Sequence, residues 1–174
     1  LPGSDLQVFK AFYNFQQYVP IYKGLFGELN ASVGWADGYG STELIPPYER
    51  LFAGGSRSVR GYRDGTLGPR DTPRNIFNNP FGGKFRIYAQ NELIIPTPLE
   101  TDNKSTRLSV FYDVGNVFNE VNDFETSELR SSYGIAYTWF TPFLGVLDLS
   151  YSIPIGPESE DETDRFQPTF GTGL

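Results

Sequence analysis

Along this 174-residue chain, runs of roughly ten residues place an apolar side chain at every second position, with charges of both signs between them. Phe85, Ile87, Ala89, Leu93 and Ile95 share one parity, with Asn91 a polar exception, and Arg86, Tyr88, Gln90 and Glu92 take the other. Leu108, Val110, Tyr112 and Val114 likewise oppose Arg107, Ser109, Phe111 and Asp113. A period of two is a strand period. Arg, Glu and Asp in mid-strand require water or paired charge on their side, so these strands face a dry medium on one side and a wet one on the other. A sheet buried on both faces is excluded.

The same alternation opens the chain. Phe9, Ala11, Tyr13 and Phe15 face away from Lys10, Phe12, Asn14 and Gln16; after a short turn at Tyr22-Lys23-Gly24 a second run reaches about Trp35. It returns over Tyr133–Trp139 and Leu147–Ile153, and in a last strand where Phe166 and Phe170 oppose Arg165, Gln167, Thr169 and Gly171. About seven strands result, with short and long connections alternating. Two architectures carry such a pattern: a soluble antiparallel sandwich or lipocalin-like barrel, and a transmembrane β-barrel with lipid outside and water inside. Three features favour the membrane barrel. Aromatics, 16% of the chain, gather at strand ends as in an interfacial belt. Charges of both signs share the parity a channel would hold, and the long loops fall at alternate connections only.

Composition removes several function classes. With no Cys and no His, the chain lacks thiol chemistry, the usual general base and the commonest metal ligand. A hydrolase would rest on carboxylates alone, so no catalytic group, cofactor or metal is expected. A net charge of −7 argues against nucleic acid. No apolar run reaches the length of a membrane helix. The start at Leu1 without Met is that of a processed or cut piece.

Between Asp37 and Gly83 the periodicity lapses. Within that stretch Pro46–Arg63, PPYERLFAGGSRSVRGYR, mixes turn formers and arginines with Leu51, Phe52, Val59 and Tyr62. A solvent loop has no need of the apolar groups, and a core strand would not tolerate the arginines or Gly54-Gly55. A long loop tucked into a polar enclosure satisfies both, its glycines permitting sharp turns and its buried guanidinium needing carboxylates. Gly83, Gly115 and Gly145 read as strand-end turn or bulge positions. The acidic run of Glu158, Glu160, Asp161, Glu162 and Asp164 reads as a solvated hairpin.

These segments resemble a known family. FAGGSRSVRGY (Phe52–Tyr62), GGKFRIYAQNELIIPTP (Gly82–Pro98), RLSVFYDVGNVF (Arg107–Phe118), YGIAYTWFTPFLGVLDLSYSIP (Tyr133–Pro154) and FQPTFGTGL (Phe166–Leu174) are similar, in order and spacing, to the C-terminal barrel of BamA-type outer-membrane assembly factors. The VRGY piece marks the wider surface-antigen, VRGF-loop superfamily, which also holds TamA-type and two-partner secretion transporters. The resemblance implies an all-β, antiparallel transmembrane barrel in the outer membrane of Gram-negative bacteria. The chain would span 1–174 as its last seven strands of sixteen, with the sixth outer loop at about 37–83, and without the N-terminal strands and POTRA domains. Val59, Arg60, Gly61 and Tyr62 would form a cluster in the lumen, Arg60 pairing with Glu92 and Asp113, while Gly54 and Gly55 shape the loop. The weak seam of the barrel would run along the final strand, with Phe166, Phe170, Gly171, Gly173 and Leu174. Implied partners are unfolded outer-membrane proteins as clients, outer-membrane lipid and lipopolysaccharide, and assembly-complex lipoproteins held by the missing domains. The function implied is non-enzymatic barrel assembly and insertion; the alternative is a TamA-type or two-partner translocation pore. Alone, seven strands would leave two open sheet edges, so the expectation is that the rest of a longer chain completes them, that two copies complete each other, or that the piece sits in detergent.

Overall fold

The computed structural model of the protein describes residues 6–42, 44–70, 79–95, 105–141 and 145–171. Seven strands form one antiparallel sheet: β1 (Val8–Tyr22), β2 (Leu25–Gly38), β4 (Phe85–Ile95), β5 (Thr106–Phe118), β6 (Arg130–Thr141), β7 (Gly145–Ile155) and β9 (Phe166–Gly171). They neighbour one another in chain order, as a meander does. A second, two-stranded ladder joins β3 (Gly61–Tyr62) to β8 (Thr163–Asp164).

The first hairpin turns at Lys23-Gly24, both with positive φ, the geometry that matches the right-handed twist of the flanking strands. Pro20 and Pro168 lie in β1 and β9, the two outermost strands, where a missing N–H can face away from the ladder.

Register converts the alternating parities into two surfaces. Leu93, Val110, Ile135, Tyr151 and Phe166 are successive cross-strand partners from β4 to β9. Ile135 is 54% exposed, and Val110, Tyr151 and Phe166 are exposed beside it. They line an outer face and meet no dry centre. On the opposite face Ser32, Gln90, Ser109, Asp113, Ser132, Ser150, Ser152 and Gln167 are buried. A sheet that hides its serines and shows its isoleucines inverts the ordering found in water.

Dry packing occurs where the long connection between β2 and β4 lies against the polar face. Ala53, Val59, Tyr62 and Leu67 of that loop pack on Val117 of β5 and Tyr88 of β4. Ile45 and Leu51 pack on Ala36 of β2 and Val8 of β1. The loop supplies six of the ten apolar residues of these two clusters.

Gly115 departs from expectation. It lies inside β5, opposite Tyr88, and not at a strand end. A Cβ there would come within 2.5 Å of the Tyr88 Cβ, so the glycine admits a close approach between strands. Gly83 stands just before β4, bridged to Leu51, and Gly145 opens β7 with a φ of 78°. Gly134 of β6 is the partner of Phe111, and a Cβ there would fall 2.7 Å from the Phe111 ring. The Tyr151 carbonyl oxygen of β7, at 2.1 Å, crowds the same place.

Candidate functional site on the polar face

The loop turns back at its tip through Gly54 and Gly55, whose φ angles are 107° and 87°. The returning chain lies directly against them: a Cβ on Gly54 would be 2.4 Å from the Arg63 carbonyl oxygen, and one on Gly55 2.6 Å from Asp64 Oδ1. The Gly55 N–H donates to the Val59 and Tyr62 carbonyls, at 3.1 and 2.9 Å. Ser58 Oγ accepts from the Gly54 N–H at 2.8 Å and donates to the Gly54 carbonyl at 3.0 Å. The tip is thus a self-bonded knot, needing little from the wall to keep its shape. Gln90 of β4 reaches it, donating to the Ser56 carbonyl.

From this knot Arg60 extends to the wall. Its backbone N–H and its Nε donate to Asp113 Oδ2 at 3.0 and 2.7 Å, and Nη2 donates to Oδ1 at 2.8 Å. Nη1 donates to Glu92 Oε1, whose second oxygen accepts from Ser109. The guanidinium carbon stands 3.5 Å over the Phe111 ring. Arg60 is 4% exposed, Asp113 0% and Glu92 19%, so the cluster is nearly dry. Burial alone would lower the Arg60 pKa, but the bonds and charge of Asp113, then Glu92, hold it above its ordinary value. The arginine is a fixed cation held by the side-on fork that suits a carboxylate.

Gly61, at a φ of 88°, runs against β7, where a Cβ would lie 3.0 Å from the Ser152 Cβ and 3.3 Å from Pro154. Tyr62 is fully buried and donates its hydroxyl to the Ser131 carbonyl at 3.3 Å. Burial, then the nearby Asp161 carboxylate, pushes its phenol up to about 12. Val59 is buried in the apolar cluster beneath the loop.

The acidic run has partners that the sequence-based expectation did not include. Glu158, Glu160 and Asp164 are exposed, as a solvated hairpin requires, but the run is also tied to the loop. Thr163 and Asp164 pair with Tyr62 and Gly61, and the Arg63 N–H donates to the Glu162 carbonyl. Glu162 then accepts from Arg63 at 2.8 Å and Arg70 at 3.1 Å, while Arg130 pairs with Asp161 at 2.7 Å and Glu158 at 2.8 Å. The arginines outside the tip draw the hairpin down onto the infolded loop. Glu162 is held below the usual carboxylate range by its bonds from Arg70 and then Arg63.

β9 reaches the same point from below. Gln167 is buried, donates through Nε2 to the Tyr62 carbonyl at 2.7 Å and accepts from the Gly61 N–H at 3.4 Å. Phe166 and Phe170 face outward, Phe170 at 72% exposure, and Gly171 is opposite Val146. The far edge of β9 has no strand partner among the described residues. Gly173 and Leu174 lie outside those residues.

The structure therefore brings Val59, Arg60, Gly61, Tyr62, Glu92 and Asp113 to one place. Sequence reasoning missed the β3–β8 ladder, the two bonds from Gln167, and Phe111 under the guanidinium. Phe111 carried a legible signal: it is an aromatic ring on the polar parity of its strand.

The profile of the Omp85 superfamily domain matches residues 1–174. Among similar proteins, the outer membrane protein assembly factor BamA of Neisseria meningitidis serogroup B is 36% identical, over 99% of this chain and 24% of its own length. The BamA of Nitratidesulfovibrio vulgaris is 26% identical, over 97% of this chain and 21% of its own. A SAM50-like protein of Drosophila melanogaster is 26% identical, over 90% of this chain and 33% of its own. The crystal structure of BamA from Haemophilus ducreyi lacking POTRA domains 1–3 superposes with a TM-score of 0.81 at 30% identity, covering 97% of this chain and 35% of that one. The chain thus spans between about a fifth and a third of the length of these relatives.

Proposed function

The chain belongs to the Omp85 superfamily, and we propose that it forms the C-terminal part of a BamA-type outer-membrane barrel that assembles and inserts other barrel proteins. The chemistry is non-enzymatic. A client strand is bound by adding to an open sheet edge, where main-chain hydrogen bonds give affinity and alternate side chains give selectivity. β9 supplies one such edge. Six residues long and interrupted by Pro168, it offers a short ladder that an incoming strand can displace. Phe166 and Phe170 keep that edge at the level of the lipid. The infolded loop, gripped through Arg60, keeps the inner side of the seam filled while the edge is exchanged. In this scheme further strands complete the barrel, and the lipoprotein partners bind periplasmic domains of the longer protein.

The observation that carries this proposal is the match to assembly factors across nearly the whole chain, in sequence over 99% of it and in structure over 97%. It favours assembly over the translocation-pore alternative. The test uses the full-length protein in vesicles of outer-membrane lipid, offered an unfolded barrel protein. Without ATP, the client is expected to reach its heat-resistant folded form faster than in empty vesicles. A disulfide from Thr169→Cys to the strand that closes against β9 is expected to abolish the acceleration. Ion conductance or secretion of a soluble substrate, with no gain in client folding, would overturn the assembly function in favour of a pore.

A further inference from the structure

The dipeptide Gly61–Tyr62 is bonded on two sides by one short stretch of chain. β8 pairs with its backbone, and Gln167, three residues beyond Asp164, bonds the Tyr62 carbonyl and the Gly61 N–H. Between them Arg165 uses its carbonyl to accept from the Ser152 N–H of β7. Gln167 is unusual for an outermost strand. A side chain on β9 would ordinarily line the lumen and meet water, yet this one is buried, and both ends of its amide serve the loop's backbone. Its β7 partner, Ser150, donates in turn to the Gln167 carbonyl at 3.4 Å. Within the described residues Gln167 is the side chain of β9 that hydrogen-bonds the infolded loop.

We propose that Gln167 is a positioning residue that couples the seating of the loop to the closure of the β9 edge. This deepens the assembly function proposed above. While Arg60 is gripped by Asp113 and Glu92, Gly61–Tyr62 is presented to Gln167 and β9 is held against β7. When the loop lifts, both bonds are lost together, because the groups that accept and donate them belong to adjacent residues of the same rigid turn. The Gln167 amide is then left beside a widened lumen, and the six-residue strand retains only its ladder to β7. A seated loop thus favours a closed seam and a lifted loop an open one.

The coupling is read by hydrogen exchange at the Gln167, Thr169 and Phe170 amides in the full-length protein in lipid vesicles. Arg60→Met unseats the loop and is expected to raise exchange at these amides about tenfold, the scale of one to two lost hydrogen bonds. In a Gln167→Leu background the link is already cut, so adding Arg60→Met is expected to change it less than twofold. Gln167→Leu fills the same space with an apolar group, and unchanged exchange in β5 and β6 verifies the fold. A purely structural Gln167 would give additive effects, and additivity would overturn the proposal. So would β9 exchange indifferent to Arg60→Met when Gln167 is present. Neither readout involves a client, so failure here is distinguishable from failure of the assembly function.

Discussion

Asp113→Asn is the most direct probe of the loop's grip. The carboxylate accepts three N–H groups from Arg60 and is fully buried. An asparagine keeps the shape but not the charge, and its NH2 group faces donors, so at least one Arg60 N–H loses its acceptor. Removing one partner of a buried ion pair costs about 3–5 kcal/mol. Glu92, partly solvated, still accepts from Nη1, which places Asp113→Asn at the lower end, about 3 kcal/mol or roughly a hundredfold in the folding equilibrium. Arg60→Met strands two carboxylates, one without solvent, and belongs at the upper end, near 5 kcal/mol. The double variant Arg60→Met with Asp113→Leu removes both charges from the wall. It is therefore expected to be less destabilised than Arg60→Met alone. Urea unfolding of the full-length protein in lipid vesicles gives the free energies, and protease cleavage in the loop reports its release. A cost below about 1 kcal/mol for Asp113→Asn, together with additive single effects, would mean the pair is screened like a surface bridge and grips nothing.

Two further outcomes follow from the loop's surroundings. Glu162 titrates below its unfolded value, so its contribution is complete above the ordinary carboxylate range and is lost as pH falls through the depressed value. Exchange protection of the Arg63 and Thr163 amides, corrected for intrinsic rate, should be flat from pH 8 to about 5 and drop in acid. Glu162→Gln should abolish that drop, and a drop that persists would remove the role of Glu162. Gly54→Ala combines a positive φ with a 2.4 Å clash on backbone, whereas Gly65→Ala has a φ of 70° and open space to 3.9 Å. The second should cost about 1–2 kcal/mol in urea unfolding and the first clearly more; equal costs would place Gly54 outside the tight turn.

The strands, their inner and outer parities and the loop's return onto the polar face were legible because each rests on local pattern. Arg86 through Glu92 alternate with Phe85 through Ile95, and a two-residue period survives any register. Gly115 was misjudged because a glycine that admits a cross-strand neighbour and one that ends a strand are the same letter. Only the register opposite Tyr88 separates them. The docking of the acidic run onto the loop was not legible for a related reason. Its partners, Arg63 and Arg70 for Glu162 and Arg130 for Asp161, lie roughly 30 to 100 residues away, and no spacing rule connects them. Arg60 with Glu92 and Asp113 was named only through the family resemblance. Chain parity put both carboxylates on the inner wall but could not choose them over Glu28, which pairs with Arg107 instead.

Gly134 has an effect out of proportion to its size. A Cβ at position 134 would meet the Tyr151 carbonyl oxygen of β7 at 2.1 Å and the Phe111 ring at 2.7 Å, so the glycine lets both lie close, and the Arg60 guanidinium rests 3.5 Å above that ring. How deep the plug descends is therefore gauged by an absent carbon on a strand the arginine does not hydrogen-bond. An alanine there would press on the β7 backbone and on the ring together, and so on the support beneath the cation.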